Sequence, residues 1–225
     1  MSFDLLAITT TITVTLCFSF AFIIFTLPQQ RKSNHSFLIG YILVIGIVHL
    51  LTLFYSVEEP QHKLLQPLLY LLGPMLFFYV IDNCNVKPKR RQRFIFHATP
   101  AALLLLFVVM QIFVDQSLQA GHAVFKLIAH KDALSGYKYH ELGYVLCALY
   151  WLGKSKQEES VGVEAHIKVR ITWLQRFCLL DALILGVEIS FHLMSQLIDI
   201  SLLPQRTIFV SILVLMLVII SFFVI

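Results

Sequence analysis

What most constrains this chain is where its charges are missing. Apolar residues run in blocks close to the roughly 20 residues that a helix needs to cross a bilayer, and charged residues collect in the gaps between them. Seven such blocks can be placed, at about 5–27, 37–55, 64–81, 94–114, 137–152, 171–197 and 207–225. Only 13% of the 225 residues are charged, about half the ~25% of a soluble domain, and the mean hydropathy is +0.81. The pattern predicts an all-α integral membrane protein, a single module of seven transmembrane helices over 1–225. The first block is preceded by Asp4 and by no Lys or Arg. It lacks the basic leader of a cleavable signal peptide and is expected to stay in place as a membrane helix.

Individual blocks carry local signals. The first holds Thr9, Thr10, Thr11, Thr13 and Thr15, whose hydroxyls can bond back to their own helix, so they are tolerable in lipid and let helices approach closely. The third contains Pro67 and Gly73-Pro74, and a kink near Pro74 is expected. The fifth is short and opens with Tyr139-His140-Glu141, and the sixth is long enough to extend beyond the membrane. Cys17, Cys84, Cys147 and Cys178 are scattered, with no CxxC pair. They suggest neither a disulfide framework nor a zinc site.

Basic residues give the orientation. Arg31, Lys32, Lys87, Lys89, Arg90, Arg91, Arg93, Lys154, Lys156, Lys168, Arg170 and Arg176 all fall on one side of the seven blocks. The other side has Lys63, Lys126, Lys131, Lys138 and Arg206, spread over longer loops. Lys and Arg favour cytoplasmic loops, so the N-terminus is predicted outside and the C-terminus in the cytoplasm. Trp151 and Trp173 then fall at the cytoplasmic interface, where amphipathic rings lie. His97 and Arg176 sit near the same interface and are expected to snorkel towards it. The run from Asn85 to Arg93 is the most basic segment. It reads either as a contact for DNA, anionic lipid or an acidic partner, or as a plain cytoplasmic anchor. No aromatic residue interleaves its charges, so a nucleic-acid groove is not supported and the anchor reading is preferred.

The external stretch 115–136 is too small for a soluble sensor domain, although His122 to His130 suit a short surface helix. Any stimulus is therefore expected to be read within the membrane or at its outer face. Ionisable residues inside the blocks point the same way, because a charge near the bilayer centre costs at least ~2.5–3.5 kcal/mol on insertion scales. Asp181, Glu188 and His192 in the sixth block are spaced by seven and four residues, which puts them on one helical face. On this topology His49, His140, Glu141, Glu188 and His192 fall at similar depth in the outer half and form the candidate ligand or metal site. Two or three His with a carboxylate suit a transition metal such as zinc, and a polar pocket equally suits a small ligand. The structural alternative is a network whose members only satisfy one another.

Catalysis has no foothold. The seventh block has no Lys for a retinal Schiff base, and the chain contains no G-x-S-x-G, no H-E-x-x-H and no glycine-rich phosphate loop. No catalytic residue and no cofactor is assigned.

The segment Leu71-Leu-Gly-Pro-Met-Leu-Phe-Phe-Tyr-Val80, then a basic loop, then Phe96-His-Ala-Thr-Pro100, resembles the membrane part of bacterial membrane-embedded transcriptional regulators of the AraC type. In that family a "GP-hydrophobic-YV" helix precedes a basic turn and a helix beginning "H-x-x-P". Ile171-Thr-Trp-Leu-Gln-Arg-Phe177 is similar to the family's "W-L-R/Q" entry to its sixth helix. The resemblance spans roughly residues 35 to 200, and related seven-helix modules precede histidine kinases and other output domains too. It implies a one-component sensor of the inner membrane, whose C-terminal helix-turn-helix domain binds DNA, usually as a dimer. The chain departs from the family in lacking that domain. It ends inside the apolar run Ser211 to Ile225 with no basic anchor, which reads as a cut ahead of a cytoplasmic output domain, against a natural end at a helix terminus. The expected function is a non-enzymatic, signal-sensing membrane module of a bacterial regulator. Its partners would be the bilayer, a small-molecule or metal-ion signal, DNA only through the missing domain, and a second copy of itself. The rival is a small transporter or channel that uses the intramembrane His, Glu and Asp as a substrate or proton path.

Overall fold

A computed structural model describes residues 2–26, 29–54, 66–84, 91–113, 136–158 and 165–198. They form α1 (Ser2–Thr26), α2 (Gln29–Phe54), α3 (Gln66–Leu69), α4 (Leu72–Asn83), α5 (Arg91–Phe113), α6 (Tyr137–Glu158) and α7 (Ala165–Ile198), with no strand among the described residues. The chain is all-α. Blocks one, two, four, five and six each coincide with one helix, and block three carries α3 and α4. The seventh block, the external stretch 115–135 and Lys87, Lys89 and Arg90 of the basic loop lie outside the described residues. Among the described residues two helices are long and apolar enough to cross a membrane, Ala7–Thr26 within α1 and Lys168–Met194 within α7. Shorter apolar helical stretches cover His35–Leu51, Pro67–Asn83 and Phe94–Leu106.

The break in the third block sits at Tyr70-Leu71, one turn before Pro74. Pro74 has no N–H to return to the Tyr70 carbonyl. The chain tightens there instead, with Tyr70 N–H donating to Pro67 O at 3.3 Å and Leu71 N–H to Leu68 O at 3.0 Å, the i→i+3 pattern of a 3₁₀ turn. The helix is broken between α3 and α4 by this turn, next to Pro74 where the sequence predicts a kink.

Helix α2 packs against α1 and α4, α4 packs against α6, and α6 packs against α7. Their common core holds Phe20, Ile24, Leu38, Leu76, Leu174 and Phe177, all buried. Two glycines set the separations. A Cβ on Gly46 would lie 3.0 Å from Cys17 Cβ of α1, and one on Gly73 would lie 3.0 Å from the Glu141 Cα of α6. Small residues at such crossings let backbones approach and gain packing contacts. On α1 the predicted back-bonding is present: Thr11 Oγ1 donates to Ala7 O at 2.7 Å, Thr13 to Thr9 O and Thr15 to Thr11 O at 2.9 Å.

The outer surface is the apolar one. Phe22, Phe25, Phe96, Leu103 and Tyr150 are exposed, and Leu179 and Leu183 are 58% and 52% exposed on either side of Asp181, which is 3% exposed. Along this part of α7 the polar residue faces inward and its apolar neighbours face outward.

Candidate functional site

That inversion brings acidic side chains to a largely apolar cavity of about 120 Å³. Its walls come from α2 (Tyr41, Ile45, Val48, His49), α6 (Tyr137, Glu141) and α7 (Asp181, Ile184, Leu185, Glu188), with Leu69 and Leu72 of α3 and α4 closing one side. Helical periodicity explains how each element supplies its share. Tyr41, Ile45 and Val48–His49 recur at intervals of three and four, as do Tyr137 and Glu141, and Asp181, Ile184, Leu185 and Glu188. Each set is one stripe of a helix turned to the same space.

Buried ionisable groups need partners, and two such pairings at the cavity are made between helices. Tyr41 Oη donates to Asp181 Oδ1 at 3.0 Å. Lys138 Nζ lies 3.0 Å from Glu188 Oε2. Lys138, Glu141 and Asp181 are each 3% exposed, and Glu141 is within Coulombic reach of both Asp181 and Glu188. The His49 ring is held by its Nδ1, 3.0 Å from Ile45 O. A donor hydrogen on Nδ1 leaves Nε2 as the ring's acceptor when the imidazole is neutral. The second oxygen of Asp181, Oδ2, is buried with no hydrogen-bond partner. Three carboxyl groups and His49 thus line the cavity, inside walls that are otherwise aliphatic and aromatic, and the Lys138 ammonium, not itself in the lining, pairs with Glu188.

The five residues expected to share one site fall into two places. His49, Glu141 and Glu188 line the cavity, joined by Asp181; His140 and His192 do not line it. His140 is adjacent to Glu141, and neighbours on a helix point about 100° apart, from 3.6 residues per turn. Its ring turns to the other face of α6, 5.2 Å from the Tyr70 ring and 4.9 Å from the Tyr144 ring. There it joins a second cluster in which His97 Nδ1 meets Tyr144 Oη and the His97 ring packs on Phe78 at 5.3 Å. His97 is therefore turned into the bundle by a hydrogen bond and ring packing, where snorkelling towards the interface was expected. Arg176, by contrast, is exposed and stacks its guanidinium 4.9 Å over the Trp173 ring. Among the described residues no three His, Cys, Asp or Glu side chains are placed to hold a metal ion. The two histidines that the zinc reading needed point elsewhere or lie beyond the cavity.

Two cavity-end residues were missed in the sequence. Lys138 counted only as an external loop charge, yet it sits three residues before Glu141, on the same stripe of α6. That spacing was the available signal. Tyr41 gave none, because its partner lies 140 residues away.

Comparison with known proteins adds no relative: no family model, no curated protein and no solved structure matches the chain.

Proposed function

We propose that this chain is the signal-sensing membrane module of a bacterial transcriptional regulator of the AraC-like kind its sequence resembles. In this reading seven helices span the inner membrane with the N-terminus outside. The observation that carries the proposal is the buried acid-rich cavity inside a bundle whose exterior is apolar. Intramembrane ionisable groups are expensive, so they avoid lipid and mark functional sites by default. Exposed Phe22, Phe25, Leu179 and Leu183 suit contact with acyl chains, and the Lys154–Trp151 and Arg176–Trp173 pairs, at 5.4 and 4.9 Å, suit an aromatic belt at the basic side.

A sensor is favoured over a transporter by what lies beneath the cavity. Past Tyr41 and Asp181 the same helices meet through Leu38, Leu76, Leu152, Leu174 and Phe177, none more than 1% exposed. Apolar packing of that kind closes a pocket at its floor, where a substrate path needs polar groups to continue. A ligand that favours one packing of α2, α6 and α7 shifts the population of the bundle only by its difference in affinity for the two packings. In this reading that shift reaches a cytoplasmic output domain through the seventh span.

The reading frame beyond codon 225 tests the assignment. A basic helix-turn-helix domain is expected there, and a further apolar span followed by a stop would overturn the regulator. Reporter fusions test the topology: those after Arg31, Arg90 and Lys156 should report cytoplasm, and those after Glu59 and Lys131 the exterior. Opposite results at two of these sites would reject the orientation.

A further inference from the structure

We infer that the cavity between α2, α6 and α7 binds a small alkylammonium ion, with the ammonium on Asp181 and the alkyl body against the aliphatic walls. The inference rests on reading this cavity as the sensing site and names what the site would sense.

The polar inventory is lopsided. Three carboxyl groups, Glu141, Asp181 and Glu188, border the space, no Lys or Arg among the described residues lines it, and nearby Lys138 is already committed to Glu188 at 3.0 Å. Asp181 lines the cavity and is 3% exposed; its Oδ1 takes the Tyr41 hydroxyl at 3.0 Å, and its Oδ2 is buried with no hydrogen-bond partner. Buried polar atoms in native proteins are nearly always paired, and an exception calls for a cause such as a missing ligand. A carboxylate oxygen accepts and cannot donate, so the group it wants carries N–H or O–H. A primary ammonium presents three donors and a compensating charge, enough to serve Asp181 Oδ2 and a neighbouring acceptor together.

The rest of the cavity fits the other end of such a molecule. Ile45, Val48, Leu72, Ile184 and Leu185 offer no hydrogen bonds to a body placed against them. Tyr41 and Tyr137 add ring faces, which attract cations. The volume of about 120 Å³ is on the scale of the roughly 150 Å³ cavity that accepts benzene in another protein, so a ligand of about five or six heavy atoms is the right size. An anion would meet the three carboxyl groups with no uncommitted cation to receive it. The same ammonium chemistry is available from a dissolved amine or from the ethanolamine headgroup of a bilayer lipid.

Thermal unfolding of the purified chain decides this. In detergent, n-butylammonium should raise the Tm in a saturable way and 1-butanol, alike in size but uncharged, should not. Asp181→Asn, nearly identical in shape, should weaken the amine's apparent affinity at least tenfold. Glu141→Gln, with the same expectation, stands in if that variant fails to fold. Stabilisation in phosphatidylethanolamine nanodiscs over phosphatidylcholine ones, lost in the same variant, would assign the lipid headgroup as the source. The inference is overturned if neither amine nor headgroup stabilises, if butanol does as well as the amine, or if both variants respond like the parent. Its failure differs from that of the sensor assignment. Amine binding in a chain with no output domain would reject the sensor and leave the site, whereas a confirmed output domain with no amine binding would reject the ligand alone.

Discussion

The α1–α2 contact and the α2–α6–α7 cavity both hold buried polar side chains, and they satisfy them in opposite ways. On α1 the buried Thr13 bonds a carbonyl one turn back on its own helix, as the exposed Thr11 and Thr15 do. At the cavity Tyr41 bonds Asp181 and Lys138 pairs with Glu188, each reaching another helix. The first arrangement is complete before the helices meet and survives their separation. The second exists only in the assembled bundle, so it couples helix positions to one another and to whatever occupies the space between them. Polar groups satisfied locally serve packing, and polar groups satisfied across helices can carry a response.

The largest effect should come from breaking the ion pair. Lys138→Met leaves the Glu188 carboxylate, part of a cavity already rich in acids, without its counter-charge. Removing one partner of a buried pair typically costs about 3–5 kcal/mol, whereas replacing both by apolar groups is often neutral. Lys138→Met should therefore lower the Tm in detergent severely, and Lys138→Met with Glu188→Leu should recover most of the loss. A double variant as unstable as the single one would mean that Lys138 acts through the other acids and not through Glu188.

A middle effect is expected at Tyr41. Tyr41→Phe keeps the ring, including its edge contact with Phe177 at 6.0 Å, and removes only the hydroxyl. Asp181 Oδ1 is then buried with its donor gone, a loss of about 1–3 kcal/mol for an unsatisfied group. Thermal unfolding checks the size. Asp181→Leu added to Tyr41→Phe should be no worse than Tyr41→Phe alone, because the orphaned acceptor disappears; a clearly additive loss would show that Asp181 has a second role in holding the helices.

How much of this was legible in the sequence follows the same division. Local facts were readable: the first six helical blocks, the break beside Pro74, the threonine back-bonds, and the stripe that carries Asp181 and Glu188 on one face of α7. Each depends on residues within a turn or two of one another. Facts that depend on which helices meet were not readable. Tyr41 and Asp181 carry no common signal along the chain, and counting Lys138 as a loop charge hid its place one turn from Glu141. Grouping His140 with Glu141 by depth ignored the angle between adjacent helical residues, and that angle sends His140 to Tyr70, Tyr144 and the His97 cluster instead. Depth along the bundle is one coordinate of such a site and helical facing is the other, and both were needed.

The smallest effect should appear on α1, where the hydroxyls are satisfied within their own helix. Thr15 Oγ1 donates to the Thr11 carbonyl at 2.9 Å, but that carbonyl also lies where the Thr15 backbone N–H returns in a regular helix. Thr15→Val removes one of two donors and leaves the carbonyl satisfied. The substitution keeps the branched shape, and Thr15 is exposed, so no cavity opens and no buried group is orphaned. None of the recognised causes of large destabilisation applies, and the change in stability should stay within about 0.5 kcal/mol, a small fraction of that at Tyr41. Thr13→Val, at a buried position with the same back-bond to Thr9 O, should behave alike. If Thr15→Val instead costs as much as Tyr41→Phe, its hydroxyl must be held by something outside its own helix. On an exposed face of α1 that something would be a second copy of the chain, and cross-linking through a cysteine placed at Thr15 would then be expected to trap a dimer.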